Sequence, residues 1–432
     1  MHCASILFFC FFFCCCLPAI AQLHAGVARV SITPLEEGIP SQLGGYGARE
    51  GRPAEGVLDT LYGKALVLEH GDVKGAIVTL DVCSVPINLV EETLTTAGVP
   101  GLTVDNTLMC ASHSHTGLEG FALDRRNIAN NPNIGIFSEP MLQFVVKRLA
   151  TALQEANATM QPVLAASGAA PLPGMNRNRR GADCVDDEMT ILRLDTTDGA
   201  PLAVLVNFAA HGTFVNENDM LLSGEWAGEM QRVVEELMGD DVTCLYVNGP
   251  EGDIAPVRGK GGSNYEQAYN YGRKVGIAAW RLATALTPTN ATRFALRSSW
   301  PTLPQRVGAP DFLKIAGDEY NVPEEQLTLL LSVMFPETAP LYALRINDFQ
   351  MATLPGEAIC AIGASVKDAL RQQGVTHPCV AALTSDYIGY ILTKEEYHKS
   401  GYEVTASFYG DALGQLLVDA AIELGAAIDN QD

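Results

Sequence analysis

The chain has few positively charged side chains for its length. Among its 432 residues are 28 Lys and Arg against 50 Asp and Glu, which gives a formal net charge of −22. Nucleic-acid binding needs clustered Lys and Arg to neutralise phosphates, and docking on anionic lipid needs the same residues, so the composition argues against both. Hydrophobic residues make up 47% and charged residues 18%, which excludes a disordered chain and predicts a large buried core.

Long hydrophobic runs are absent except near the N-terminus. Residues 6–17 form an unbroken apolar run, followed by Pro18 and the small-x-small sequence Ala19-Ile20-Ala21. This pattern predicts a secretory signal peptide over residues 1–21, cleaved before Gln22, and a secreted or periplasmic protein. An uncleaved N-terminal anchor is the alternative interpretation. Elsewhere no stretch approaches the length of a bilayer span, so we expect no stable membrane span.

Paired cysteine motifs are absent as well. The chain has 11 Cys, of which six remain after the leader, and no CxxC occurs, which excludes a zinc knuckle and a thioredoxin-like motif. Six cysteines in so long a chain do not indicate a disulfide framework. Cys83, Cys110 and Cys244 lie in apolar strand-like runs, where we expect them to act as small core residues.

Segments with the pattern of strands and of helices alternate along the mature chain. The helical spacing of Met141, Val145, Leu149 and Leu153 is one example, and a hairpin is predicted around His70–Asp72. The alternation predicts an α/β fold with a mixed sheet, flanking helices and a single large domain over residues 22–432. The Pro-rich segment Pro301–Pro340 is predicted to be an irregular insertion.

Histidines follow two of the predicted strands. His113 and His115 form an HxH sequence after the strand Thr107–Ala111, and His211 follows the strand Ala203–Phe208. Loops at strand ends are the usual place for site residues in α/β folds. One histidine of the HxH is a ligand candidate, and the other can face a substrate. A metal site and a set of polar strand-end residues are both consistent with this pattern.

Two acidic segments are further candidates for the site. Asp253 lies in the Gly- and Pro-containing loop after the strand Leu245–Asn248, and Glu357 precedes an apolar segment with helical character. A carboxylate near a helix N-terminus is stabilised there, so helix capping explains Glu357 as well as a metal-ligand role does. An ordinary acidic turn likewise explains Asp253.

Several motifs occur in the same order as in a known family. They are the opening strand Gly26–Pro34, the Gly45-Tyr46 pair, Leu61–Ala65, the SHSHTG sequence Ser112–Gly117, Asn176–Arg179, Val185–Thr190, the block Asn207–Thr213, and the Tyr-rich stretch from Asp386 through Tyr390 and Thr393–Tyr397 to Glu403. Together they resemble the neutral/alkaline, non-lysosomal ceramidase family. The resemblance runs through nearly the whole mature chain.

The resemblance implies a zinc amidase that hydrolyses the N-acyl amide of ceramide or a related lipid. Carried over by motif, the Zn²⁺ ligands are His113, His211, Glu357 and Tyr390, with Tyr387 as the competing tyrosine three residues earlier. His115 and Arg179 are implied to contact the substrate beside the metal. The leaving amine needs a proton, for which His115 and Asp253 are both candidates.

The chain also departs from the family pattern. The family has a serine linked to activity in its GDVSPN loop, where this chain has Ala255, and the missing hydroxyl predicts weak turnover of long-chain ceramide. The family's C-terminal β-rich domain is not matched, which leaves residues 22–432 as the expected catalytic domain. Two other functions therefore remain open: a zinc hydrolase for a different amide or ester, and a lipid- or metal-binding protein without activity.

Overall fold

The computed structural model of the protein describes residues 22–239, 241–315, 320 and 322–428. The leader predicted over residues 1–21 lies outside this part of the chain. The strands are, in chain order, β1 His24–Ser31, β2 Gly56–Val57, β3 Tyr62–His70, β4 Val73–Leu80, β5 Thr107–Ala111, β6 Gln161–Pro171, β7 Asn176–Asn178, β8 Glu188–Thr196, β9 Pro201–Phe208, β10 Leu221–Leu222, β11 Thr243–Asn248, β12 Ile254–Pro256, β13 Thr289–Asn290, β14 Phe294–Ser299, β15 Leu341–Ile346, β16 Phe349–Thr353, β17 Glu357–Ala358, β18 His377–Ala381 and β19 Tyr390–Ile391. The helices are α1 Ile87–Ala97, α2 Glu139–Ala158, α3 Glu225–Met238, α4 Asn264–Ala285, α5 Phe312–Ile315, α6 Glu324–Met334, α7 Cys360–Gln372, α8 Lys394–Tyr397, α9 Tyr402–Thr405 and α10 Leu413–Ala427.

Nine strands form one mixed sheet in the order β11-β9-β8-β6-β1-β3-β4-β5, with β13 beside β6. The pairs β9–β11 and β4–β5 are parallel, whereas β3 and β4 form the antiparallel hairpin expected around His70–Asp72. A second sheet contains β14, β15, β16 and β18. This mixed sheet with its helices confirms the predicted α/β class.

The two sheets pack face to face, and helices cover their outer faces. Leu66 and Leu108 of the large sheet share one apolar core with Leu344 and Met351 of the second sheet. The other face of the large sheet packs on α1 and α2 near β3 and on α3 and α4 near β9. Helices α7 and α10 cover the far face of the second sheet. No helix in the described part of the chain combines the length and the apolar character that crossing a bilayer requires.

The two longest helices begin where their sequences supply a capping side chain. The Ser138 hydroxyl accepts a hydrogen bond from the Met141 N–H at the start of α2, and Ser263 with Glu266 forms a capping box at the start of α4. A cap satisfies backbone N–H groups that have no partner within the helix, worth about 1 kcal/mol. The apolar face of α2 that the spacing of Met141, Val145 and Leu149 predicts is buried.

The large sheet curves until its two edges meet. Strands β5 and β11 stand at opposite ends of the hydrogen-bonded order, yet the side-chain amide of Asn248, the last residue of β11, donates to the carbonyl of Ser112, just after β5, over 3.2 Å. Lys64 on β3 likewise donates to the Cys244 carbonyl of β11, at 2.9 Å. The loops that follow β5, β9 and β11 therefore converge on one point.

Two expectations from the sequence need correction. The segment 301–340 is not irregular throughout, because it contains α6 and the short helix α5. In addition, Cys184 and Cys360 form a disulfide that no sequence motif indicated. Cys83, Cys110 and Cys244 are free and buried, as expected, and so is Cys379.

Candidate metal centre

The predicted ligand residues come from four converging segments. His113 follows β5, His211 follows β9, and Glu357 begins β17, whose parallel partner β19 places Tyr390 directly opposite Glu357. His113, His211 and Glu357 are each at most 3% exposed. The strand-end argument from the sequence thus leads to a single buried cluster.

The ligand atoms of this cluster stand at distances suited to one ion. His113 Nε2 lies 3.1 Å from His211 Nε2, and Glu357 Oε2 lies 3.4 Å from the first nitrogen and 3.6 Å from the second. Two ligands at bond lengths of about 2.0–2.2 Å around a tetrahedral zinc are separated by roughly 3.4 Å. Glu357 Oε2 also has no hydrogen-bond partner among the described residues. A zinc-sized cation fits the side chains present.

Backbone carbonyls set the tautomers of the two histidines. His113 Nδ1 lies 2.7 Å from the Cys83 carbonyl, and His211 Nδ1 lies 3.2 Å from the Glu251 carbonyl. A carbonyl only accepts, so each Nδ1 carries the proton and donates it, which leaves the Nε2 lone pair of a neutral ring facing the cluster. Burial, with the positive charge of Arg179, lowers the pKa of His211 well below its usual range and favours this neutral form.

The backbone bends between the two histidines of the HxH sequence. His113 has φ 63°, in the left-handed region that residues other than Gly rarely adopt. Its ring and that of His115 lie close together, with 3.3 Å between their Nε2 atoms. The Glu225 carboxylate holds this loop by accepting from the N–H groups of His115 and Thr116, at 2.7 and 3.1 Å. This loop therefore holds both rings at the cluster.

Both tyrosines of the competing pair reach Glu357. Tyr387 donates its hydroxyl hydrogen to Glu357 Oε1 over 2.7 Å, whereas the Tyr390 hydroxyl accepts from Arg179 Nη2 at 2.9 Å and also hydrogen-bonds Glu357. Burial, together with the charge of Glu357, raises the pKa of both hydroxyls well above the usual range. The geometry alone does not separate the two as ligands.

The predicted substrate-contacting residues occupy different environments. His115 and Arg179 line the same cavity as the cluster, and the Arg179 guanidinium is fixed by Glu403 and by the Gly252 carbonyl, both at 2.8 Å. Asp253 does not line the cavity. Its two oxygens accept from the Cys360 N–H at the start of α7 and from the Asn178 side chain, each at 2.7 Å. These contacts favour a positioning role for Asp253 rather than that of a proton donor.

Ala255 lies in β12, paired with Arg177 of β7, and is 5% exposed. It too is outside the residues that line the cavity. A hydroxyl at this position would therefore act on a molecule in the cavity through its neighbours.

Glu251 is a site residue that the sequence reasoning missed. Its carboxylate lies in the same cluster as His113, His211 and Glu357, and the four ligand atoms are all within 4.8 Å of one another. Burial, reinforced by the charge of Glu357, raises the pKa of the Glu251 carboxyl well above its usual range. The signal was available, because Glu251 follows β11 as His211 follows its parallel neighbour β9, and the same strand-end argument applies to both.

A cavity of about 380 Å³ extends from the cluster to an apolar wall. The polar end is lined by His113, His115, Arg179, His211, Glu357 and Tyr390. The apolar wall includes Phe121, Phe312, Leu327, Leu331, Met334 and Phe408. Four of these six apolar residues belong to or flank α5 and α6, so the segment thought to be an irregular insertion forms much of this wall.

An α/β fold with a buried His/Glu cluster at one end of an apolar cavity defines a protein with a candidate cation site that faces space for a hydrophobic ligand. Residues 24–256, more than half of the chain, match the family described as "Neutral/alkaline non-lysosomal ceramidase, N-terminal", and the chain belongs to this family. The family is one of amide hydrolases.

Individual relatives are similar over different shares of the chain. Neutral ceramidase of Pseudomonas aeruginosa is 21% identical over 412 residues, which cover 76% of this chain and 61% of that protein. Neutral ceramidase B of Dictyostelium discoideum is 24% identical over 193 residues, covering 40% of this chain and 26% of the relative. This chain thus spans less than two thirds of the length of these relatives.

Solved structures share the fold. The crystal structure of neutral ceramidase from Pseudomonas aeruginosa superposes with a TM-score of 0.77 at 19% identity, covering 94% of this chain and 74% of that one. A structure described as ceramidase complexed with C2 gives a TM-score of 0.75 at 18% identity, with 95% and 76% covered.

Proposed function

We propose that the protein is a zinc-dependent amidohydrolase that cleaves the N-acyl amide of ceramide or a related N-acyl lipid into a fatty acid and an amine. The observation that carries this proposal is the buried cluster of His113, His211 and Glu357 at the polar end of an apolar cavity. These three side chains would hold the ion. The fourth position, which the family resemblance gives to Tyr390, completes the set.

Zinc is the proposed ion because imidazole nitrogen and carboxylate oxygen at tetrahedral spacing suit it. When bound, it supplies a water of lowered pKa and polarises a carbonyl oxygen. The two histidines contribute neutral nitrogen donors whose other ring nitrogens are anchored on backbone carbonyls. Such anchoring fixes the orientation of a ligand ring and raises its basicity.

Arg179 and His115 are proposed to act on the substrate. The Arg179 guanidinium lies at the cavity wall and is held by Glu403, so its charge needs no rearrangement to stabilise a developing oxyanion. His115 lines the cavity, and its Nε2 faces the cluster, 3.3 Å from His113 Nε2. That nitrogen can exchange a proton with a bound amide, which makes His115 the favoured proton donor to the leaving amine.

The apolar part of the cavity is proposed to take the hydrocarbon chain of the substrate. Each methylene that leaves water for an apolar environment contributes about 0.8 kcal/mol. A lipid amide therefore gains affinity along the wall that α6 provides, while its polar group lies at the cluster. We further propose that residues 22–432 form the catalytic domain and that the leader 1–21 directs export.

Metal analysis of two histidine variants tests this function. We expect one zinc per chain in the wild-type protein, loss of both metal and activity in His211→Ala, and retention of metal with loss of activity in His115→Ala. A panel of ceramide, short N-acyl amines and esters identifies the substrate class. Stoichiometric zinc in His211→Ala would contradict the ligand assignment, and no turnover of any member would favour the non-catalytic alternative.

A further inference from the structure

Glu119 places a carboxyl group in the wall of the cavity, outside the proposed ligand set. The residue follows the histidine loop and is half-buried, and it is among the residues that line the cavity. Its Oε1 accepts a hydrogen bond from the Phe121 N–H over 3.1 Å, and the Gly45 N–H also donates to the carboxyl group. A carboxylate has about four acceptor positions, so further positions are open to a molecule in the cavity.

Glu119 belongs to the polar end of the cavity. Burial, with the charge of Glu119, raises the pKa of the Cys83 thiol well above its usual range, and the Cys83 carbonyl orients the ring of His113. On its other side Glu119 is bonded to the backbone of Phe121, whose ring belongs to the apolar wall. The carboxyl group therefore lies where the polar end meets the apolar wall. An amide bound at the cluster would have Glu119 beside the atoms that adjoin it.

The backbone around Glu119 fixes the position of its side chain. The Glu119 N–H donates to the Gln42 carbonyl at 3.0 Å, and the Ala122 N–H donates to the Glu119 carbonyl at 3.2 Å. A Cβ on Gly135 would stand 2.9 Å from Glu119 Cγ, so the stem of the side chain packs directly against this glycine. A carboxyl group held in this way loses little conformational freedom when it binds a ligand, which favours selective recognition.

Arg49 is the nearby cation, but its guanidinium is engaged elsewhere. It donates to four backbone carbonyls, those of Gly44, His115, Asn216 and Asp219. Burial raises the pKa of Glu119 to about 7, against the opposing hydrogen bond from the Phe121 N–H and the charge of Arg49. Near neutral pH the carboxyl group is therefore present in both the ionised and the neutral form. A hydroxyl group suits both forms, because it donates to the first and accepts from the second.

The other charges at this end of the cavity distinguish the groups that a ligand could offer to Glu119. Arg179, with the proposed ion, already supplies positive charge there, so an ammonium group on the ligand is disfavoured. A carboxylate on the ligand would be repelled by the ionised form of Glu119 and by Glu357. A neutral group that donates a hydrogen bond meets neither repulsion. These charges therefore favour a hydroxyl group.

We propose that Glu119 determines specificity by hydrogen-bonding a hydroxyl group on the amine part of the N-acyl substrate, close to the amide. The residue selects amides of amino alcohols over amides of alkylamines, diamines and amino acids. The inference deepens the proposed function and rests on it for the position of the amide at the cluster.

Kinetics on a matched series of amides test the role of Glu119. The amides share one acyl chain, and their amine parts are hydroxyethyl, propyl, aminoethyl and carboxymethyl. We expect the wild type to prefer the hydroxyethyl over the propyl amide by about 10–100-fold in kcat/KM, the ratio that one hydrogen bond to a charged group provides. Glu119→Met, which is nearly isosteric, should reduce this ratio to about 2-fold or less. Glu119→Gln still accepts from a hydroxyl and should keep a ratio of about 3–10-fold.

Glu55→Met is the matched control, because it removes the same charge from an exposed glutamate outside the cavity and should leave the ratio unchanged. An equal loss of kcat/KM for the hydroxyethyl and propyl amides in Glu119→Met would indicate a structural role and overturn the inference. A wild-type preference for the aminoethyl or the carboxymethyl amide would overturn it as well.

Binding separates this inference from the proposed function. If the wild type hydrolyses none of the amides, the proposed function fails, and calorimetry then measures the dissociation constants of the same amides for the same proteins. Tighter binding of the hydroxyethyl amide that Glu119→Met abolishes supports the role of Glu119. Equal binding of the hydroxyethyl and propyl amides by the wild type contradicts it.

Discussion

His113 shows how a single residue determines the geometry of the site. Its left-handed backbone, at φ 63°, is unfavourable by about 1 kcal/mol or more for a residue with a side chain. The surrounding contacts compensate this, because the His113 N–H bonds the Val82 carbonyl and its ring bonds the Cys83 carbonyl. The loop held in this way presents both imidazoles of the HxH sequence to one cavity.

Glu225 supports the same loop, and its burial makes metal-free stability depend on pH. Burial raises its pKa from 4.5 to about 8, against the opposing hydrogen bonds from His115 and Thr116. Because the folded-state pKa lies above the unfolded value, the contribution of this group to stability is complete below about pH 4.5 and is lost as the pH rises through 8. One pKa unit corresponds to about 1.4 kcal/mol, so the loss has an upper limit of about 5 kcal/mol.

We therefore expect the free energy of unfolding of the metal-free wild type to fall, relative to that of Glu225→Gln, between pH 5 and pH 9. Gln keeps the oxygen that accepts from the loop and does not ionise. Urea unfolding of both proteins at several pH values in chelator measures the difference. A difference that is constant with pH would show that Glu225 does not titrate in this range.

At the scale of secondary-structure elements, α6 makes the segment after residue 301 part of the cavity wall. Leu327, Leu331 and Met334 point to the cavity wall, whereas Leu329 on the other face is 59% exposed. The prolines at both ends of the segment hid the helical pattern in the sequence. The structure reveals both the helix and the part of the cavity wall that it forms.

We expect Leu331→Trp to lower kcat/KM for long N-acyl substrates more than for short ones, because the indole fills space that the hydrocarbon chain would occupy. Excluding two methylenes, at about 0.8 kcal/mol each, corresponds to roughly 10-fold. Kinetics on an acyl-length series measure the ratio, with Leu329→Trp as the control on the exposed face. An equal loss for all chain lengths would place the hydrocarbon chain elsewhere.

The disulfide between Cys184 and Cys360 ties the loop after Arg179 and Arg180 to the first residue of α7. The two cysteines are separated by 176 residues, and no local motif joins them, so their pairing could be found only in three dimensions. Glu357 lies three residues before Cys360, which places the cross-link beside the candidate ligand.

Removing this cross-link should destabilise the protein, because it closes a long loop of the unfolded chain. We expect Cys184→Ser with Cys360→Ser to lower the free energy of unfolding by about 2–5 kcal/mol. Urea titrations with and without reductant measure it, and reductant should have no effect on the double variant. An identical unfolding midpoint for oxidised and reduced wild type would contradict the role of the bond.

For the whole molecule, hydrophobic periodicity predicted most of the helices and strands, and the residues at strand ends predicted part of the site. The meeting of the two edges of the large sheet was not predicted. The helix around Met141–Leu153 and the strand Thr107–Ala111 follow from local spacing. The meeting of β5 with β11 does not, because it depends on the accumulated curvature of a sheet whose edge strands are distant in the hydrogen-bonded order. Glu251 could have been named as a strand-end residue after β11, but its place beside His113 and Glu357 depends on this closure. The ligand roles of His113, His211, Glu357 and Tyr390 stay predictions.

The predicted leader gives a test on the whole chain. When the full sequence is expressed in a host with a secretion pathway, we expect the exported protein to begin at Gln22, because small residues occupy positions 19 and 21. Mass spectrometry of the intact exported chain decides the point. Ala21→Arg should block cleavage at this bond, and an exported wild-type protein that retains Met1 would contradict the signal-peptide interpretation.

The closure of the large sheet also has a consequence for the order of events during biosynthesis. Of the proposed ligands His113, His211 and Glu357, the two nearest along the chain are 98 residues apart. No short fragment can therefore hold an ion as a zinc finger does, and a nascent chain has to be synthesised beyond Glu357 before it can chelate. If the chain binds the proposed ion, metal capture would be a late step that follows collapse of both sheets, and refolding should proceed at a rate independent of zinc concentration. A bound ion would then show that the chain has finished folding.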